Sequence, residues 1–275
     1  FFEDLLQRYN SKEWLTSDPV QFVHCYSRPG DQEVVAFLAS CFAYGSVVLV
    51  HRAVEAVLAP MGASPERFIR DYSPQKRFWP GVYHRFHREE HLEVLILTLQ
   101  AALLEFGSLG RLFQKDTANV EDVLNTGSQW LRNRAFEIAQ TRKADLRRGL
   151  QFFFSSPSDG SACKRMNMFM RWMVRKDEID LGLWTWFSPE NLVIPVDTHV
   201  ARIGYYLRLY RGKEARAVNW KLAVEITESL RLICPSDPVR YDFAIARLGI
   251  LDICKREYEK SICTQCPVQA ACRFS

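Results

Sequence analysis

The chain has 275 residues, 48% of them hydrophobic, 25% charged and 13% aromatic, with a net charge of +4. This balance excludes disordered and collagen-like chains and suits one large domain or two small ones, each with its own core. No fixed repeat period runs along it, which excludes coiled-coil and solenoid architectures.

The dominant period is helical. It predicts helices over Glu33–Val57, His91–Phe106, Thr117–Gln140, Thr141–Phe154, Ala162–Lys176, Thr198–Leu209, Asn219–Leu232 and Asp237–Ile253. Breaks are marked by Arg28-Pro29-Gly30, Trp79-Pro80-Gly81, Ser156–Gly160 and Cys234-Pro235. No alternating run is long enough to build a sheet, so the expected class is all-α with at least eight helices. Val34–Val50 is an uncharged run of 17 residues containing Ser40, Gly45 and Ser46. Roughly 20 apolar residues are needed to span a bilayer, so a buried core helix is expected and no membrane association. Further on, His84, His87 and His91 would share one helical face. Hydrogen-bonded surface histidines are expected there in preference to a metal site, and the interleaved arginines and aromatics could touch a DNA backbone.

Residues 132–176 hold 11 Lys and Arg against three acids, a segment of +8 in a chain whose remainder is −4. Of the 36 basic residues 26 are Arg, whose planar fork grips phosphate bidentately. A polyanion partner, nucleic acid first, follows from this focusing. Inside the segment, Leu146, Leu150, Phe153 and Phe154 make one apolar stripe, a compact turn follows at 155–161, and a new helix begins near Ala162. The N-terminus of that helix offers backbone N–H groups and a positive dipole end near Gly160, Ser161 and Cys163, a natural place for phosphate. At about 100° per residue, Lys164, Asn167, Arg171 and Arg175 fall on one polar stripe, read either as a solvated face or as a phosphate-lined wall. A lysine at a helix N-terminus among other cations has its ammonium form disfavoured, and a neutral amine is what Schiff-base chemistry requires.

Trp184-Thr185-Trp186-Phe187 is expected to pack between domains. Asp197, in Pro195-Val196-Asp197-Thr198-His199-Val200, stands where an N-cap belongs. Cys25, Cys41, Cys163 and Cys234 are expected as buried core thiols. Cys254, Cys263, Cys266 and Cys272 crowd the last 22 residues with spacing C-x8-C-x2-C-x5-C. Four thiolates this close can hold one metal centre, either a four-iron four-sulfur (4Fe-4S) cluster or a structural zinc.

The order of these parts resembles the helix-hairpin-helix DNA glycosylase superfamily, notably its iron–sulfur, endonuclease III-like branch: a hairpin, then Pro-Val-Asp-Thr-His-Val-Ala-Arg, then a four-cysteine loop. The resemblance covers roughly Leu146 to Cys272. Gly160–Met173 and Asp237–Ala244 are similar to a bacterial family of uncharacterised function within that superfamily. The resemblance implies two helical domains flanking a cleft: a barrel with the hairpin over 31–185, and a cluster domain formed by 1–30 and 186–275. It implies base excision from duplex DNA, with Asp197 as the catalytic carboxylate, Lys164 as a Schiff-base nucleophile and the target base flipped from the duplex. Gly160, Ser161, Arg165, Arg171 and His199 would contact nucleic acid, and the four cysteines would hold the 4Fe-4S cluster. A hairpin of the Leu-Pro-Gly-Val-Gly type is absent, Ser158-Asp159-Gly160-Ser161 standing in its place, and Lys164 precedes Asp197 by 33 residues. That gap is more like the archaeal 8-oxoguanine glycosylases, and it leaves a lysine-independent mechanism open, with Lys176 as a weaker substitute. The first cysteine gap, eight residues, exceeds the six usual in endonuclease III. The rival readings are a non-catalytic nucleic-acid-binding protein and an enzyme acting on RNA or nucleosides. A monomer in the cytoplasm, associated with the nucleoid, is expected.

Overall fold

The computed structural model describes residues 1–140, 145–214, 216–255 and 257–274. Its chain divides into two compact units, Asp18–Ser156 and Pro157–Ser275, the latter completed by Phe1–Ser17. The sequence placed the boundary at 185. It falls at 156 because the arginines of the helix after the turn find their carboxylate partners at Asp237 and Asp242.

Both units are helical, as expected. After α1 (Phe2–Tyr9), the first unit contains α2 (Pro29–Phe42), α3 (Val47–Leu58), α4 (Pro65–Arg70), α5 (Glu89–Phe106), α6 (Leu109–Phe113), α7 (Val120–Ala139) and α8 (Arg147–Phe153). α2 packs on α3, α4 and the 3-10 turn Pro19–Cys25, and α5 packs on α7. The expected single helix over Glu33–Val57 is two: Gly45 takes φ +100°, open only to glycine at low cost, and Ser46 caps α3 through Leu49 N–H. Among the described residues no helix is long and apolar enough to cross a membrane. Residues 141–144 of the expected helix over Thr141–Phe154 lie outside the described residues.

The histidine stretch is not a helix. Tyr83–His84 (β1) and His87–Arg88 (β2) form a short antiparallel hairpin, and His91 sits in the first turn of α5. All three histidines are buried, not on the surface. His84 donates from Nε2 to the Tyr44 carbonyl (3.0 Å), and His87 donates from Nε2 to the Gly149 carbonyl (3.0 Å) and meets the Tyr44 hydroxyl at Nδ1. These bonds replace the water that an imidazole loses on burial.

The second unit contains α9 (Lys164–Val174), α10 (Thr198–Tyr206), α11 (Trp220–Arg231), α12 (Asp242–Ile250) and α13 (Lys260–Cys263), with α12 packed on both α1 and α10. α9 is buried on every side after its first residue. Met166, Phe169, Met170, Trp172 and Met173 fill one side, each contributing about 1.5–3 kcal/mol of burial. The polar stripe is no solvated face and no phosphate wall. Arg171 pairs with Asp180 (Nε to Oδ1, 3.2 Å) and Asp242, while Arg175 pairs with Asp237 (2.9 Å), Asp177 (3.1 Å) and Asp180. Trp184 is buried, packing edge-on to Phe169 of α9 and stacking on Trp186 within this unit. Of the four scattered thiols, Cys41 and Cys163 are buried, Cys234 is half-buried and Cys25 is exposed.

Candidate functional site

Pro195 and Val196 run extended and buried into Asp197, and Ile194 N–H is fixed by Thr227 Oγ1 (3.0 Å). Asp197 has extended backbone, and its Oδ1 accepts the N–H groups of His199 (2.9 Å) and Val200 (3.0 Å), capping α10. The cap uses one carboxylate oxygen and leaves the other, Oδ2, to face outward from the helix end.

The turn at 157–163 delivers the partner. Gly160 takes φ +73°, its N–H bonds the Pro157 carbonyl (2.8 Å), and its own carbonyl accepts Trp220 N–H (3.3 Å). Ser161 pairs with Asn219 in an isolated bridge, and its hydroxyl accepts Cys163 N–H (3.1 Å). Cys163 is in the left-handed region (φ +50°), so the chain enters α9 abruptly, with Lys164 as its first helical residue. Lys164 Nζ then lies 3.4 Å from Asp197 Oδ2. Lys164 and Asp197, 33 positions apart in the chain, thus meet as an ion pair.

Their side chains are 30% and 35% exposed, so both are anchored and both can be reached from solution. Burial opposes ionisation of Asp197, but the Lys164 ammonium, the Val200 N–H and the His199 charge outweigh it and hold the carboxyl below the usual range. His199 is exposed on the first turn of α10, close to the pair. Gly160 is exposed and Ser161 half-buried just before Lys164, so these residues share one end of α9. Arg165 and Arg171 do not join them: both are buried, and Arg171 is consumed by Asp180 and Asp242. Arg171, expected to contact nucleic acid, is instead held inside the unit by these carboxylates. Lys176 lies beyond the opposite end of α9. The four aspartates that neutralise α9 were missed in the sequence; the spacing Arg175, Asp177, Asp180 carried a local hint, while Asp237 and Asp242 carried none.

Cys254, Cys263, Cys266 and Cys272 ring one largely apolar pocket floored by Ile203, Leu207 and Leu248. Burial pushes the Cys254 thiol up to about 11, with Cys272, Cys266 and Cys263 adding to the rise against Arg202. The four sulfurs thus lie within one another's electrostatic reach, and Cys263 Sγ accepts the Glu259 N–H (3.4 Å). Among the described residues no three His, Cys, Asp or Glu side chains converge on a point where they could hold a single metal ion. The donor set, four thiols around one apolar hollow, has the chemistry that an iron–sulfur cluster or a zinc ion requires. The segment is tied back to α10, because Arg202 Nη2 donates to the Cys254 carbonyl (3.1 Å) and Arg273 N–H to the Tyr206 carbonyl (2.8 Å).

The fold and this pair define a mostly helical protein with a reachable lysine–aspartate pair built from two helix N-termini. The chain belongs to the family described as "Protein of unknown function (DUF2400)", whose family model matches residues 18–251. That span contains Lys164 and Asp197 and ends before the four cysteines. No curated protein and no solved structure matches the chain.

Proposed function

We propose that this protein is a DNA base-excision enzyme of the helix-hairpin-helix glycosylase kind, an N-glycosylase with lyase activity toward a damaged or modified base. The observation that carries the reading is the Lys164–Asp197 ion pair at 3.4 Å, at the N-termini of α9 and α10. In this mechanism the C1′–N bond breaks with its electron pair on the departing base, which takes up a proton. The Asp197 carboxylate faces the positive charge that grows on the sugar. The Lys164 ammonium gives up its proton and the amine adds to C1′. Breaking the C1′–O4′ bond then yields the Schiff base, with a proton taken up by O4′. Gly160, Ser161 and the first turn of α9 would hold a flanking phosphate, and His199 a second. Arg165 has no part in that contact, because it is buried.

Cys254, Cys263, Cys266 and Cys272 would hold a 4Fe-4S cluster, which when bound supplies a rigid brace at the far end of α10. The partner is duplex DNA, and the enzyme would work as a monomer in the cytoplasm at the nucleoid. The test is borohydride trapping of anaerobically purified protein on duplexes carrying 8-oxoguanine, an oxidised pyrimidine, uracil or an abasic site. The expected result is a covalent adduct that disappears with Lys164→Gln. An adduct that survives Lys164→Gln, or no adduct and no base release on any duplex, overturns the reading.

A further inference from the structure

A pocket of about 600 Å³ lies wholly within the Asp18–Ser156 unit, between the β1–β2 hairpin, the start of α5 and the start of α8. That volume is in the range of small-molecule sites. We propose that it binds a nucleotide, the base lying against Phe86 and Phe152 with a carbonyl oxygen on His91 Nε2, and the phosphate held by Arg88 and Arg148.

His91 is only 8% exposed. Its Nδ1 accepts the Arg88 N–H (3.3 Å), which places the ring proton on Nε2. Among the described residues no acceptor meets that N–H, and His91 lines the pocket. A Cβ on Gly149 would stand 2.4 Å from Nε2 and 2.3 Å from Cδ2, so the absence of a side chain there is what leaves this edge of the imidazole in place. The donor is thus set into the wall and left for a ligand's acceptor.

Two aromatic rings form a corner beside it. Phe86 and Phe152 lie 4.8 Å apart at 83°, giving a flat heterocycle a face and an edge to pack on. Phe86 is 45% exposed, and it is presented by Arg85 at φ +57°, a conformation unfavourable for a non-glycine residue. Such strain persists where the surroundings and function select it. At the rim, Arg88 and Arg148 are exposed and are in no ion pair among the described residues. Glu90 and Asp145 line the same pocket. Their charge works against a bare anion such as inorganic phosphate, while they can accept amino or imino protons from a base edge. Together these groups select a ligand that is aromatic, carries both acceptor and donor edges, and is anionic at one end.

The ligand's chemistry fits a free nucleotide or an unpaired base in a single strand, and the experiment separates these sources. Nucleoside 5′-monophosphates, inorganic phosphate and dye-labelled single-stranded oligonucleotides are titrated into the full chain by calorimetry and fluorescence polarisation. Nucleotides are expected to bind at least about tenfold more tightly than phosphate, and Phe86→Ser and Arg148→Ala each to weaken them about five- to tenfold. Both side chains are exposed, so the variants keep the fold, which circular dichroism checks. Binding of mononucleotides assigns the free ligand; variant-sensitive binding of oligonucleotides alone assigns the unpaired base. Equal affinity for phosphate, affinities that neither variant moves, or no saturable binding overturns the proposal. The outcome does not depend on Lys164: the trapping experiment can fail while nucleotide binding stands, and the reverse.

Discussion

Asp197 does two things that one substitution can separate. Its Oδ1 caps α10 through two N–H groups, and its Oδ2 faces Lys164 at 3.4 Å. Asp197→Asn keeps an oxygen for the cap and removes the charge, while Asp197→Ala removes both. Loss of an N-cap costs about 0.5–2 kcal/mol, and an ion pair with both partners a third exposed contributes about 0.2–1 kcal/mol. The Asn variant is therefore expected to lose under about 1 kcal/mol and the Ala variant roughly 1–3 kcal/mol. At about 2–4 °C per kcal/mol the two are separable by melting. In trapping and base-release assays the Asn variant should fall about 100- to 1000-fold, the scale of removing one electrostatic stabiliser. The carboxyl is held below its usual range, so the pair's contribution is present above the unfolded value of about 3.9 and is lost as pH falls through the lower folded value. Only the acid limb of the melting profile should flatten in Asp197→Asn. An Asn variant that melts like the wild type and keeps full activity refutes the catalytic assignment; one as unstable as Asp197→Ala refutes the cap.

Three further outcomes are expected. Arg171→Met removes one of the two arginines on buried Asp180 and the arginine on buried Asp242, and should cost about 3–5 kcal/mol, measured by chemical denaturation; a loss under about 1 kcal/mol would show that these charges are not held by Arg171. Burial lowers the pKa values of His84 and His91 below the ordinary value, so the unfolded chain binds more protons near about pH 6. The melting temperature should then drop as pH falls from about 7 to 5, and a flat profile would contradict the burial of both rings. Cys272→Ser should reduce bound iron and visible absorption in anaerobically purified protein and lower the melting temperature; unchanged iron content would remove Cys272 from the ligand set.

How much the sequence disclosed depended on whether a residue's partner was local. Asp197 was legible because a cap is satisfied within three residues, by His199 and Val200. Lys164 was legible because the turn before it is punctuated by Pro157 and Gly160. Arg171 and Arg175 were misread as a charged face because Asp237 and Asp242 lie more than 60 residues away, and periodicity reports polarity without saying what meets it. The histidines were misread because 84, 87 and 91 satisfy a helical period by accident of spacing. The hairpin is set instead by a two-residue turn at Arg85 and Phe86 that contains no glycine signal. The break at Gly45 was masked by the apolar run on both sides of it.

The buried aspartates also explain how an exposed pair can keep its geometry. Lys164 and Asp197 are each a third exposed, and an isolated surface ion pair of that kind would lose most of its gain to side-chain freedom. Here each residue opens a helix that is anchored elsewhere. α9 is locked along its length by the Arg171 and Arg175 carboxylate bonds and by its wholly apolar flank, so Lys164 starts from a fixed Cα. α10 is held at its cap by Asp197 and toward its other end by Tyr206, whose carbonyl accepts Arg273 N–H and whose ring packs on Phe274. The cysteine pocket is floored by the same helix. Ordering the pocket therefore restricts α10 from the end opposite the cap, and the buried ion pairs restrict α9 from the end opposite the lysine. Lys164 and Asp197 need only their own side-chain torsions fixed, a far smaller entropic demand than ordering two loops.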